Sequence, residues 1–287
     1  MIVDTHCHLW QHKLASQTWL TPKFKHLCRT FDPSDLAEAC QPVGTEAVVL
    51  IESGKTRGEN EAFQEMAASS SLIAAMVPYV DLNSPDLAKD LDQWQQDPKF
   101  KGVRMGFEAH ADPAILQRPA IVDGIRQIAQ RGLIFEFLVQ SPQLGDVLDI
   151  CQSIPQLKAI VEHLAKPEFE NPTDISNWQR QMKALAGDTH VHCKLSLSPR
   201  QQQFDGLLKN PGKGWAVDAI RPCVEFMLEQ FGCERLVWGS DWPICLLVCD
   251  YRGAWHTMKQ MLSDLSEDNQ ARIFGENARQ FYDLAVD

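Results

Sequence analysis

The chain has 287 residues, 44% of them hydrophobic and 23% charged, the balance of a globular protein with a sizeable core rather than a disordered tail. Its 27 Lys and Arg against 38 Asp and Glu leave a formal charge of −11, which argues against nucleic acid or an anionic membrane surface as the main partner. No apolar run approaches the ~18 residues of a membrane span, and the opening MIVDTHCHLW has an acid and two histidines where a signal peptide would be apolar. A cytoplasmic protein is expected, and nine cysteines without a CxxC pair indicate neither a zinc ribbon nor a dithiol site.

In chain order, eight short apolar runs read as strands buried on both faces: Ile2–His6, Ala47–Glu52, Ile73–Val80, Gly102–Met105, Leu133–Val139, Ala159–Leu164, Val191–Ser196 and Leu236–Asp241. Helical patterns fill the intervals. Asp32-Pro33 reads as an N-cap followed by a first-turn proline, and Ser141-Pro142 repeats the device. Gly132 and Gly232 stand where helices end in a left-handed residue. Strands alternating with helices over about 250 residues predict an α/β fold, a (β/α)8 TIM barrel. No GxGxxG follows the first strand, so an open doubly wound sheet is the weaker alternative. No linker, repeat or low-complexity tract divides the chain, and residues 1–287 are read as a single domain.

A barrel gathers the C-terminal ends of its strands into one pocket, so the polar residues that close the strands are the candidates. The first strand ends in Asp4-Thr5-His6-Cys7-His8. Alternation puts Asp4, His6 and His8 on one face, with both imidazoles near the top, where they are able to grip one divalent ion. His163 closes strand six in VEHLAKP, and Asp241 closes strand eight in WGSDWP. A buried carboxylate needs a metal or a hydrogen-bonded partner. One such strand end is a weak signal; three in agreement point to a site. A second HxH, His190 and His192, opens strand seven and belongs at the barrel's bottom, away from the chemistry. His12, His26, His110 and His256 read as loop or surface residues.

DTHCHLW, GVR at Gly102–Arg104, EHLAKP, CKLS at Cys193–Ser196, WGSDWP and the terminal IFGENARQFYDL occur in that order. Together they resemble the amidohydrolase superfamily, in its amidohydrolase-2 branch of sugar-acid lactonases and 2-pyrone-4,6-dicarboxylate lactonase. The resemblance runs from the first strand to the last helix. It implies a hydrolase of a cyclic ester, with His6, His8, His163 and Asp241 as metal ligands, Asp241 as the proton carrier, and Arg104 beside the substrate. One divalent ion, zinc first, is the implied cofactor, and a metal-free mechanism stays open. Two departures stand out. Glu162 occupies the position before the strand-six histidine where the branch usually has Asp, and strand five ends in Phe137-Leu138-Val139-Gln140 without a histidine. A binuclear centre bridged by a carboxylated lysine is therefore not expected.

The implied reaction is the opening of a sugar-acid lactone such as L-fucono- or L-rhamnono-lactone. A dicarboxylate lactone, a decarboxylation on the same fold, and a non-enzymatic metabolite binder are the alternatives. A small-molecule lactone is the expected partner, with no nucleic acid, no membrane, and a homo-oligomer left open. Lys194 shares a face with Ser196 and reads either as a substrate contact or as a core-paired lysine. Trp10 and Trp242 follow the ligand motifs and read either as a sugar-stacking wall or as packing. If His163 points into the pocket, alternation turns Glu162 away from it.

Overall fold

A computed structural model describes residues 1–11, 20, 24–54, 57–108, 110–187, 191–199 and 214–285. Among them are eight parallel strands, at the eight positions that the apolar runs predict: β1 (Val3–Cys7), β2 (Ala47–Ile51), β3 (Ile73–Val77), β4 (Gly102–Gly106), β5 (Ile134–Leu138), β6 (Lys158–Val161), β7 (Val191–Leu195) and β8 (Leu236–Trp238). Continuous ladders join β1-β2-β3 and β4-β5-β6-β7-β8. Isolated parallel bridges carry the two seams, Met76 to Phe100 and Tyr79 to Arg104 on one side, Cys7 to Trp242 on the other. The Thr5 hydroxyl also donates to the Trp238 carbonyl at 2.7 Å, tying β1 to β8.

The strands carry residues for two separate cores, which is why they read as unbroken apolar runs. Val3, Ala47, Val49, Ile51, Ala75, Val77, Ile134, Ile160 and Val237 pack inside the barrel. Their neighbours in sequence, such as Val48, Leu50, Phe135, Phe137 and Val161, pack outward against the helices. Helices α1 (Pro33–Cys40), α2 (Arg57–Ala68), α3 (Leu87–Trp94), α4 (Pro119–Gln130), α5 (Leu144–Ser153), α6 (Pro172–Ala186) and α7 (Val217–Phe231) lie between strands. In α4 the buried residues Ile121, Gly124, Ile125, Ile128 and Ala129 recur at three- and four-residue spacing, one stripe facing the barrel.

The helix punctuation follows the sequence with one exception. Asp32 caps α1, taking the backbone N–H groups of Ser34 and Asp35, and Asp35 returns a bond to the Asp32 N–H. Gly132 and Gly232 take φ values of +69° and +68°. The exception is Ser141-Pro142, where Gln140 rather than Ser141 is the cap. Its side chain pairs reciprocally with Gln143 around a short 3-10 turn that precedes α5.

After β8 the chain forms α8 (Tyr251–Met261), α9 (Glu267–Ala271), a π-helical turn at Arg272–Glu276, and α10 (Asn277–Phe281). This C-terminal segment closes the bottom of the barrel. Asn277 donates to the carbonyls of Cys233 and Leu236 at the entrance to β8, and Ala278, Tyr282 and Leu284 join the inner core. No described helix is long and apolar enough to cross a membrane.

Candidate active site at the C-terminal ends of the strands

The geometry starts with an irregularity in β1. Asp4 pairs with Val48 but Cys7 pairs with Leu50, so three steps on β1 (7 − 4) run against two on β2 (50 − 48). That is a β-bulge, and it reverses the alternation. Asp4, expected beside His6 and His8, instead turns toward Cys7 and Ser240. Its carboxylate accepts from the His6 N–H (3.0 Å), the Ser240 N–H (2.9 Å) and the Cys7 thiol (3.0 Å). Asp4 therefore holds the bulge and the β8 turn together. The extra residue is what sends both His6 and His8 inward.

The second support comes after β8, which ends at Trp238, three residues earlier than the sequence implies. Asp241 takes a left-handed φ of +59° and its N–H donates to the His6 carbonyl at 2.9 Å. Gly239 makes room for this crossing, since a Cβ there would lie 2.7 Å from the His6 Cβ. The result is a compact donor set. His6 Nε2 and His8 Nε2 are 3.1 Å apart, and Asp241 Oδ1 lies 3.6 Å and 3.3 Å from them.

These separations fit one tetrahedral ion, whose ligands at 2.0–2.1 Å stand ~3.3 Å from one another. His8 Nδ1 bonds the Ile51 carbonyl at 3.0 Å, which fixes its proton there and leaves Nε2 as the lone-pair nitrogen. Asp241 Oδ2 is buried without a hydrogen-bond partner, as befits an oxygen meant for an ion or a substrate proton. Burial pushes the Asp241 carboxyl up, but His163 and His8 outweigh it and hold it below its ordinary value. Burial, then the charge of Lys194, presses the His6 imidazole well below its usual value, so His6 is neutral. The donor set can thus hold a divalent ion.

His163 reaches the site by a route that strand alternation does not anticipate. β6 ends at Val161, and His163, Leu164, Ala165 and Lys166 follow with φ between +47° and +56°. Four consecutive non-glycine residues in this region cost about 1–2 kcal/mol each. Hydrogen bonds hold the turn: Trp178 Nε1 donates to the Leu164 carbonyl at 2.6 Å and His163 Nδ1 bonds Ser196 Oγ at 2.8 Å. Because of the turn, Glu162 and His163 both face the interior, which corrects the expectation that Glu162 points away. The His163 ring lies 4.3 Å from that of His6, and burial lowers its pKa to about 4. His163 groups with His6 and Glu162, a set that shares His6 with the His8 and Asp241 set but is not part of it.

Below this level the cations are all engaged. Arg104 donates from Nε to Glu52 Oε1 (2.9 Å), from Nη1 to Glu162 Oε2 (3.0 Å), and from Nη2 to the Glu52 carbonyl. Burial opposes the charge on Glu162, but Arg104, Lys194 and His163 hold its carboxyl well below the usual carboxylate range. Lys194 is wholly buried and meets Glu136, the Thr5 carbonyl and His6 Nδ1, the arrangement of a core-paired lysine. Lys166 pairs with Glu108 at 2.6 Å. The two tryptophans are buried as well. Trp10 is 1% and Trp242 3% exposed; both rings lie edge-on to Phe31, and Trp10 Nε1 donates to the Arg29 carbonyl.

His192 packs at the other end of the barrel on Phe281, with ring centroids 4.1 Å apart. His26, His110 and His256 are exposed, while His12 and His190 lie outside the described residues. The sequence reading missed Glu52, Glu136, Ser196 and Tyr282. The signal for Glu136 was present: a lone acid in the apolar strand IFEFL must find a cation, and Lys194 in VHCKL is the matching lone base.

Comparison with known proteins agrees with this architecture. The chain is 32% identical over 285 residues to an L-fucono-1,5-lactonase of Burkholderia ambifaria, covering 98% of this chain and 94% of that one. It is 27% identical to an L-fucono-1,5-lactonase of Burkholderia multivorans, over 98% and 96% of the two chains. A crystal structure of an amidohydrolase from Burkholderia multivorans with bound zinc superposes with a TM-score of 0.86, at 26% identity and 99% coverage of both chains. The amidohydrolase family model matches residues 3–284. With its strand-end histidines and aspartate gathered at one mouth of the barrel, this chain belongs to the amidohydrolase family.

Proposed function

We propose that the protein hydrolyses a sugar-acid lactone, with L-fucono-1,5-lactone the first substrate to try, and that His6, His8 and Asp241 hold one zinc ion for the reaction. The observation that carries this reading is the three-donor cluster in a chain that aligns along nearly its whole length with L-fucono-1,5-lactonases. When bound, the ion supplies Lewis-acid polarisation of the lactone carbonyl and a more acidic water.

The chain's own groups supply the rest. Asp241, ionised and with Oδ2 free of other bonds, accepts the proton of the attacking water and returns it to the ring oxygen as the ester bond breaks. His163, neutral and held by Ser196, donates from Nε2 to the oxygen on which negative charge develops. Arg104 keeps its place in the site as a clamp. By fastening Glu162 and Glu52, it holds the acids that stand beside His6 and His8.

The pairing of the cations speaks to the substrate class. Among the described residues of the site, Arg104, Lys166 and Lys194 each already meet a carboxylate of the chain. A dicarboxylate lactone would need unpaired cations at its two acid groups, whereas a neutral sugar lactone needs hydroxyl partners. The carboxylates and imidazoles of the site provide such partners.

The test is acid release from a panel of sugar and dicarboxylate lactones, with wild type and Asp241→Asn. Turnover of a sugar lactone that falls about a hundred- to ten-thousandfold in the variant supports the assignment. Full turnover by Asp241→Asn, or hydrolysis confined to dicarboxylate lactones, overturns it.

A further inference from the structure

We propose that Tyr282, Glu136 and Lys194 form a buried positioning relay that links the C-terminal helical segment to His6 and sets how firmly the His6, His8 and Asp241 cluster holds its ion. The inference rests on the metal reading above.

Tyr282 closes the bottom of the barrel with Ala278. A tyrosine buried as a plug must still satisfy its hydroxyl, and this one does so into the barrel, donating to Glu136 Oε1 at 2.6 Å. The other oxygen of Glu136 pairs with Lys194 Nζ at 2.5 Å. Nζ then donates to the Thr5 carbonyl at 2.8 Å and faces His6 Nδ1 at 3.2 Å. All four side chains, from Tyr282 to His6, are 0% exposed.

The far end of this chain is the bulge of β1. Lys194 touches both the backbone of the bulge, at Thr5, and the ring that the bulge aims, at His6. A fully buried Lys–Glu pair is a poor device for stability alone, because desolvation offsets most of its attraction. It is able to hold an imidazole in place, since Nζ grips the Thr5 carbonyl and stands against the Nδ1 edge of the ring, while Glu136 offsets a charge that would otherwise oppose an ion at Nε2. Glu136 needs the Tyr282 hydroxyl for its own orientation. Without that bond, Glu136 Oε1 loses its hydroxyl donor in a dry interior, beside a Glu162 whose charge already works against its own. The C-terminal helix thereby bears on an atom at the opposite end of the barrel.

The experiment measures zinc affinity by competition with a chromogenic chelator for wild type, Tyr282→Phe, Glu136→Gln and Lys194→Met. Melting temperature, kcat and KM on the responsive lactone accompany it. Glu136→Gln and Lys194→Met should weaken zinc binding about 10–100-fold, with a smaller loss in Tyr282→Phe. In each, kcat should fall while KM stays within about twofold, and the Tyr282→Phe and Glu136→Gln losses should combine less than additively.

If Lys194→Met fails to fold, the near-isosteric Tyr282→Phe and Glu136→Gln carry the test. Wild-type zinc affinity and kcat in both of those variants, with wild type itself binding zinc, overturns the relay and leaves the metal reading standing. Failure of wild type to bind zinc overturns the metal reading and the relay with it.

Discussion

The sequence holds two histidine-x-histidine pairs, and their described members do unlike things. His6 and His8 leave the C-terminal end of β1, where a bulge turns both rings inward to within 3.1 Å of each other. In the other pair, His192 begins β7 and rests on Phe281 at the bottom. The residue types and spacing are the same, so the motif alone carries no function. What separates His6 and His8 from His192 is the end of a parallel strand that they occupy, and the delivery of Asp241 beside the first two by the segment after β8.

The largest effect that sharpens this contrast is the loss of either upper imidazole. His6→Ala and His8→Ala should each abolish stoichiometric zinc binding, read by metal analysis after dialysis, and lower lactone turnover about a hundredfold or more. The contrast breaks if either variant keeps one tightly held zinc per chain.

An intermediate effect is expected below. His192→Ala removes an aromatic contact worth about 1 kcal/mol, so the melting temperature should drop slightly while zinc content and turnover stay as in wild type. A His192→Ala enzyme that loses its metal would erase the distinction between the two ends.

An effect of similar size belongs to neither end. Asp32→Ala removes the α1 cap at a cost of about 1 kcal/mol at pH 7, with no change in turnover. The bonds from Ser34 and Asp35 lower the Asp32 pKa. The cap's contribution is therefore fully present above the unfolded value of 3.8 and is lost as pH falls through the lower folded value. Denaturation curves of variant and wild type should converge in acid; a gap that widens there contradicts the cap.

The eight strands were legible because strands buried on both faces cannot carry alternating polarity, and the three strand-end motifs were legible because barrels gather their strand ends. The rest depended on departures from regular backbone. One extra residue between Asp4 and Cys7 changes which side chains share a face, and the pattern of residue types in DTHCH does not announce it. The four left-handed residues after Glu162 are not glycines, so local preference predicts an ordinary strand exit and the wrong orientation for Glu162. The roles of Arg104 and Lys194 were open for another reason. A buried cation is read correctly only with its acids, and Glu52, Glu136 and Glu162 come from three other strands or strand ends.

The join between the first and last strands has a consequence for how the protein comes into being. Thr5 and Trp238, 233 positions apart, must meet before Asp241 can stand beside His6 and His8, and contacts so remote in sequence are slow to form. The residues that cap the barrel from beneath lie later still. A growing chain on the ribosome therefore carries both imidazoles more than 200 residues ahead of Asp241 and has no assembled site until that residue has emerged. The site comes into being in one late closure rather than by increments.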